Sequence, residues 1–351
     1  MTNKILRSEP LTRPWAGTDP FLFCAHHLDH YPASDGHQGV PADRLGDRPL
    51  GDDFSRRDGF SMYYGTDVPG FPAHPHRGFE TVTIVPRGVV DHADSLGATA
   101  RYGDGDVQWL TAGRGVMHAE MFPLRDSAGD NPLDLFQIWL NLPARSKMAD
   151  PAFVILWDGT IPRYRTANRD GATAEVKVIA GAYAPQEGGG DTIVPPPPAP
   201  DSWASDPDAE VAIWQIRLDP GAQLTLPAAV RTGARRTLYF HAGDAIEVDG
   251  QAQDAARLIE VQAQTALPLV NSGDQPADIL LLQGVPIGEP VVAQGPFVMN
   301  TQEEIHQARV DFGRTRFGGW PWPAAGPVHP AGTGRFAQYP GTTTRALPPA
   351  D

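Results

Sequence analysis

The chain has 351 residues, 41% of them hydrophobic and 20% charged, and a formal net charge of −14. That length favours two domains over a single core, and the acidic balance weighs against direct binding to nucleic acid or an anionic membrane, whose phosphates it would repel. Its one cysteine, Cys24, excludes an intrachain disulfide framework and fits a reducing compartment.

The start, MTNKILRSEP, lacks an apolar signal core. No apolar run reaches the roughly 18 residues of a spanning helix, so a cytoplasmic protein without a membrane anchor is expected. With 37 Gly and 36 Pro, turns rather than long helices should dominate. The first apolar run, FLFCA at residues 21–25, predicts a strand with Cys24 as a buried small hydrophobe. His26, His27 and His30 come next in a polar turn and read as surface or hydrogen-bonded histidines rather than ligands. Residues 31–64 turn to Gly, Asp, Pro and Arg, with pairs such as Asp35-Gly36 and Asp58-Gly59, and read as a long loop or lid beside the next motif.

That motif is His74-Pro75-His76-Arg77-Gly78-Phe79-Glu80, and a second run, Gly113-Arg114-Gly115-Val116-Met117-His118-Ala119-Glu120, comes later. In an extended strand, side chains two apart share a face. His74 with His76, and His118 with Glu120, could therefore converge on a divalent metal through three imidazole nitrogens and one carboxylate oxygen. Such a set leaves coordination positions open, which marks a catalytic rather than a closed structural centre. It suits Fe(II), although Mn, Ni, Cu, Co and Zn also accept imidazole.

Around these runs, Glu80 reads as a residue behind the ligands. His92 and Asp94 alternate, and serve either to orient ligands or substrate or as a turn at a barrel rim. Arg77 and Arg114 read as structural ion-pair partners. FETVTIV, Val107 to Thr111, Val116 to Phe122 and Leu135 to Leu142 predict short strands with Gly-rich turns, which is the pattern of a sandwich or barrel.

A strand beginning near Glu175 opens a second series. A Gly- and Pro-rich stretch, residues 184–208, with Gly188-Gly189-Gly190 and Pro195 to Pro198, reads as a surface linker or lid. AIWQIRL, QLTL, RTLYFHAG, AIEVDG, RLIEVQ and ADILLLQG then suggest a second barrel. Its one strand histidine, His241, reads as a packed residue, and with no paired ligands a metal is not expected there. A helix is expected after Asn300 or Thr301 as cap, with Ile305, Ala308 and Phe312 on one face. The Pro- and Gly-rich tail should be poorly ordered unless it docks on a neighbour.

FPAHPHRGFETVTIV, GDVQWLTAGRGVMHAEM, LFQIWLNLPARSKMADP and PVVAQGPFVMNTQEEIHQA together resemble the pirin family, a branch of the cupin superfamily, across roughly residues 15–318. The resemblance implies an all-β protein of two cupin (jelly-roll) β-barrels with a short C-terminal helix. The expected division is a metal-binding barrel at residues 1–145, a barrel without ligands at 146–323 and a tail at 324–351. It implies one metal, normally iron, on His74, His76, His118 and Glu120.

Some members are similar to quercetin 2,3-dioxygenases, which open a flavonol ring with O2 and release carbon monoxide. On that reading the partners are a small aromatic substrate and O2, and Glu120 is both ligand and catalytic base for the flavonol 3-hydroxyl. Other members resemble regulatory proteins that bind a transcription factor or a metabolic enzyme, with the metal as a redox-sensitive switch. The fold does not choose between these.

Overall fold

A computed structural model describes residues 3–186 and 190–349. Gly188 and Gly189 of the Gly run, the first two residues of the start and the last two of the tail lie outside the described residues. The chain forms two compact units, Met1–Cys24 with Gly159–Gly288 and Ala25–Asp158 with Glu289–Asp351. This differs at both chain ends from a consecutive division into 1–145, 146–323 and 324–351.

The reason is long-range strand pairing. Near the N-terminus, Ile5–Pro10 pairs antiparallel with Arg257–Val261, and near the C-terminus, Phe336–Gln338 pairs antiparallel with Thr99–Gly103. Such short strands bury little by themselves and take their order from the edge they join.

The unit containing both histidine runs is built from two sheets. One has the order Phe336–Gln338, Thr99–Gly103, Val89–Asp94, Val116–Met121, Gly70–His76. The other runs Ala152–Leu156, Val107–Thr111, Phe79–Arg87, Asn131–Asn141 and then Phe21–Tyr31, the strand along which the chain passes from one unit to the other. Val85, Val90, Ala100, Tyr102, Leu110 and Phe153 belong to the core of this unit. The predicted strands FETVTIV and Val107 to Thr111 are present at those positions, and LFQIWLN is extended upstream to Asn131.

The other unit carries a seven-stranded and a four-stranded sheet. Its core is the alternating inward set that includes Trp214, Ile216, Leu218, Leu238, Phe240, Ile279 and Leu281. All six strands read from its sequence are there, and His241 packs near Trp15, with ring centroids 5.6 Å apart. Cys24 is fully buried, which pushes its thiol well above the usual range and leaves it inert as a nucleophile.

The tail is docked. Trp322 Nε1 donates to Asp94 O at 2.8 Å and Ala73 N donates to Ala325 O at 2.8 Å. The buried Arg101 guanidinium donates to the carbonyls of His329, Pro330 and Thr333 at 3.0, 2.9 and 3.0 Å while it grips Asp91 through two bonds of 2.7 Å. The helix Gln302–Thr315 is capped by Thr301 in a capping box with Glu304 and buries Ile305 and Ala308. No helix among the described residues is long and apolar enough to cross a membrane.

Candidate metal centre

Strands Gly70–His76 and Val116–Met121 pair antiparallel with His74 directly opposite His118. Alternation then puts His74, His76, His118 and Glu120 on the inner face. A tight turn at Gly78, φ +86°, separates the histidine strand from Phe79–Arg87. A Cβ at Gly78 would lie 2.0 Å from Val298 O, so only glycine fits. The turn is clamped by Lys147, buried, whose ammonium donates to Gly78 O, Asn141 Oδ1 and Val298 O at 2.8, 2.8 and 3.0 Å.

The ring nitrogens that His74, His76 and His118 can offer lie within 4.8 Å of one another, and among the described residues this is the group of three or more potential ligands that converges. His74 Nδ1 is hydrogen-bonded to Pro72 O at 2.9 Å, which leaves Nε2 as the nitrogen it can present. Neither ring nitrogen of the buried His118 has a hydrogen-bond partner, nor has Nδ1 of His76. Orphaned buried nitrogens cost about 1–3 kcal/mol each. A divalent ion accepting the one lone pair that each neutral ring offers removes that cost at the coordinating nitrogens, so the donor set fits one.

The electrostatics agree, because desolvation lowers all three imidazoles: His74 to about 4, His76 and His118 well below the ordinary value, with mutual repulsion among the rings adding to it. They are neutral at physiological pH, the form in which imidazole binds metal.

Glu120 stands beside this cluster, with Oε2 3.8 Å from His118 Nε2. Its carboxylate is held from the opposite sheet, where Gln137 Nε2 donates to Oε2 at 2.6 Å and Thr83 Oγ1 donates to Oε1 at 3.2 Å. Burial pushes the Glu120 carboxyl above its usual range, and His92, Gln137 and Thr83 offset that only in part. Gln108, Thr83 and Gln137 are direct neighbours across three strands, and Tyr102 donates to Gln108 Oε1 at 3.3 Å. This polar row carries no ligand signature. Its one sequence signal is a polar residue at an inward position of otherwise apolar strands: Thr83 in FETVTIV, Gln108 in VQWLT and Gln137 in LFQIWLN.

His92 lies inside the barrel, stacked on Phe153 at 4.8 Å between centroids and 5.6 Å from the His118 ring. Asp94 holds the turn, one of the two roles open to it from sequence, and also approaches His92. Its Oδ1 accepts from Leu96 N and Ala98 N in the turn, and its Oδ2 lies 3.4 Å from His92 Nε2. Glu80 is not behind the ligands. The Gly78 turn breaks the alternation, so Glu80 faces the opposite side of its strand from Thr83 and accepts from Trp109 Nε1 and Thr111 Oγ1 at 2.9 and 2.7 Å. Arg77 pairs with Asp311 at 2.9 Å and Arg114 with Asp150 at 2.6 Å, as structural ion pairs. Of the early histidines, His26 binds Asp134 at 2.9 Å.

Residues 31–64 bring aromatic rings against Phe71, which lies beside His74. Phe54 and Tyr64 are 49% and 50% exposed, so these outer rings are partly open to solvent. From there Tyr64 contacts Phe71 at 5.8 Å and Phe71 contacts His74 at 6.2 Å, while Tyr63 stacks on Phe71 at 5.1 Å. The segment is not a loose flap. Arg48 and Asp53 form a fully buried pair at 3.0 Å beneath it, and Tyr63 donates to the buried Asp29 at 2.7 Å.

Two β units, one enclosing a three-histidine cluster on paired strands, define a two-domain cupin fold with a candidate metal centre. The Pirin family pattern matches residues 16–140, and the Pirin C-terminal cupin domain matches residues 213–318. A Pseudomonas aeruginosa protein provisionally named a quercetin 2,3-dioxygenase is 37% identical over 71% of this chain and 79% of its own length. Human pirin is 34% identical over 74% of this chain and 81% of its own. A crystal structure of quercetin 2,3-dioxygenase from Acinetobacter baumannii superposes with a TM-score of 0.65 at 26% identity, covering 90% of this chain and 98% of that one. The chain belongs to the pirin family.

Proposed function

We propose that the protein is a mononuclear metal-dependent dioxygenase that acts on a flat, enolisable aromatic such as a flavonol. The observation that carries the reading is His118, buried against His74 and His76 with both ring nitrogens unpartnered, beside a series of ring contacts that leads through Phe71 to the half-exposed Tyr64. The provisional name of the Pseudomonas relative and the name of the Acinetobacter structure support the same chemistry.

His74, His76 and His118 would hold the metal, with Glu120 as a fourth ligand. Iron(II) bound there supplies Lewis acidity and one-electron chemistry towards O2. The chain's own residues do the rest. Phe54, Tyr64 and Phe71 stack a planar ring system and orient it towards the histidines. Glu120 accepts the proton of the acidic hydroxyl. Gln137 and Thr83 fix that carboxylate so that it need not search for the proton.

The test is O2 uptake by iron-loaded protein together with loss of quercetin absorbance and release of carbon monoxide. All three are expected from the wild type and absent from His118→Ala. No turnover of quercetin with Fe, Mn, Ni, Cu, Co or Zn would end the flavonol reading.

A further inference from the structure

The barrel without metal ligands has a cavity of its own, about 480 Å³, within the range of small-molecule sites. Trp214, Arg236 and Gln283 line it from the barrel, and Thr192 and Ala204 from the Pro-rich segment, which thus forms one wall. Arg236 sits opposite Gln283 in the sheet. Leu238 and Phe240 continue its inward face into the apolar core. The guanidinium therefore ends the core where the cavity begins.

Arg236 is 1% exposed, and the acceptors of its hydrogen bonds are neutral. Its Nε and Nη2 both donate to Gln283 Oε1, at 2.8 and 2.5 Å, and Nη2 also donates to Pro227 O at 2.8 Å. Nη1, with two N–H groups, donates to nothing. Glu210, whose carboxylate lines the same cavity and acts on Arg236 through space, accepts from Val230 N and Arg231 N at 2.7 and 2.6 Å rather than from the guanidinium. A buried cation paired only with neutral oxygens is expensive. Burial pulls Arg236 down to about 10, so it is nevertheless charged at neutral pH. The Trp214 ring, its centroid 6.0 Å from the guanidinium carbon, gives the same cavity an aromatic surface.

We infer that this cavity binds a small organic monocarboxylate, with its carboxylate on Nη1 of Arg236 and its apolar body against Trp214. The donors left over belong to a single nitrogen, the two N–H groups of Nη1, which one carboxylate satisfies. A phosphate dianion would leave most of its oxygens without donors among such walls.

Benzoate is the probe, titrated calorimetrically into the full-length protein. Because carboxylates also bind metals, the titration is repeated in metal-free His118→Ala protein. Saturable binding is expected in both, with affinity at least about tenfold weaker in Arg236→Gln. Gln283→Glu is the decisive variant: it places a carboxylate beside Arg236 from within, should raise the melting temperature, and should abolish benzoate binding in a protein that is still folded. Benzamide, the uncharged analogue, should not bind. The inference is overturned if wild-type protein shows no saturable benzoate binding, if Gln283→Glu binds benzoate as tightly as wild type, if benzamide binds equally well, or if inorganic phosphate binds and benzoate does not.

Discussion

His118 is the residue from which the centre is best tested by substitution, because both of its ring nitrogens are buried and unpartnered. His118→Ala should lower metal content at least about tenfold. The pH dependence comes from the depressed imidazoles. Between the ordinary value of 6.5 and about 4 for His74, the unfolded chain binds protons that the metal-free fold refuses. The folded pKa lies below the unfolded one, so this contribution is full above pH 6.5 and stability falls as the pH drops through that window. Urea unfolding of metal-free protein at stepped pH should show that slope, reduced in His118→Ala. The histidine pairs were legible in the sequence because their spacing matches the strand period. Thr83, Gln108 and Gln137 were not, because a single polar residue in a strand has no partner until the sheets close.

At the scale of elements, the 31–64 segment joins the site through its aromatic side chains. Replacing Phe54 and Tyr64 together by Ala should raise KM for a flavonol about two- to tenfold, the worth of one stacking contact of roughly 0.5–1.5 kcal/mol, and lower stability only modestly, since both rings are half exposed. Arg101 is the opposite case. It is buried with Asp91 and holds the docked tail, so Arg101→Ala should cost about 3–5 kcal/mol in denaturant unfolding. Strands with β-branched runs could be read directly from sequence. The three-residue Phe336–Gln338 could not, since its order comes from the neighbouring edge rather than from local propensity.

For the molecule as a whole, the two-barrel architecture was legible, but the assignment of the chain ends was not. Nothing in the composition of residues 1–24 or of the tail says which barrel they complete; the pairings of Ile5–Pro10 and Phe336–Gln338 do so for those two strands. Ala25–Asp158 expressed alone should therefore aggregate, with the Thr99–Gly103 edge uncovered and Arg101 stripped of its tail carbonyls. Joined by a flexible linker to Glu289–Asp351, it should be recovered as a soluble, cooperatively folding unit, as judged by size-exclusion chromatography and thermal unfolding.

If His74, His76 and His118 hold a metal, elemental analysis of anaerobically purified protein reconstituted with Fe(II) will find one tightly held ion per chain in the wild type and almost none in His118→Ala of equal secondary-structure content. Wild-type protein that retains no transition metal after reconstitution, or a His118→Ala variant that retains as much as wild type, would contradict this assignment.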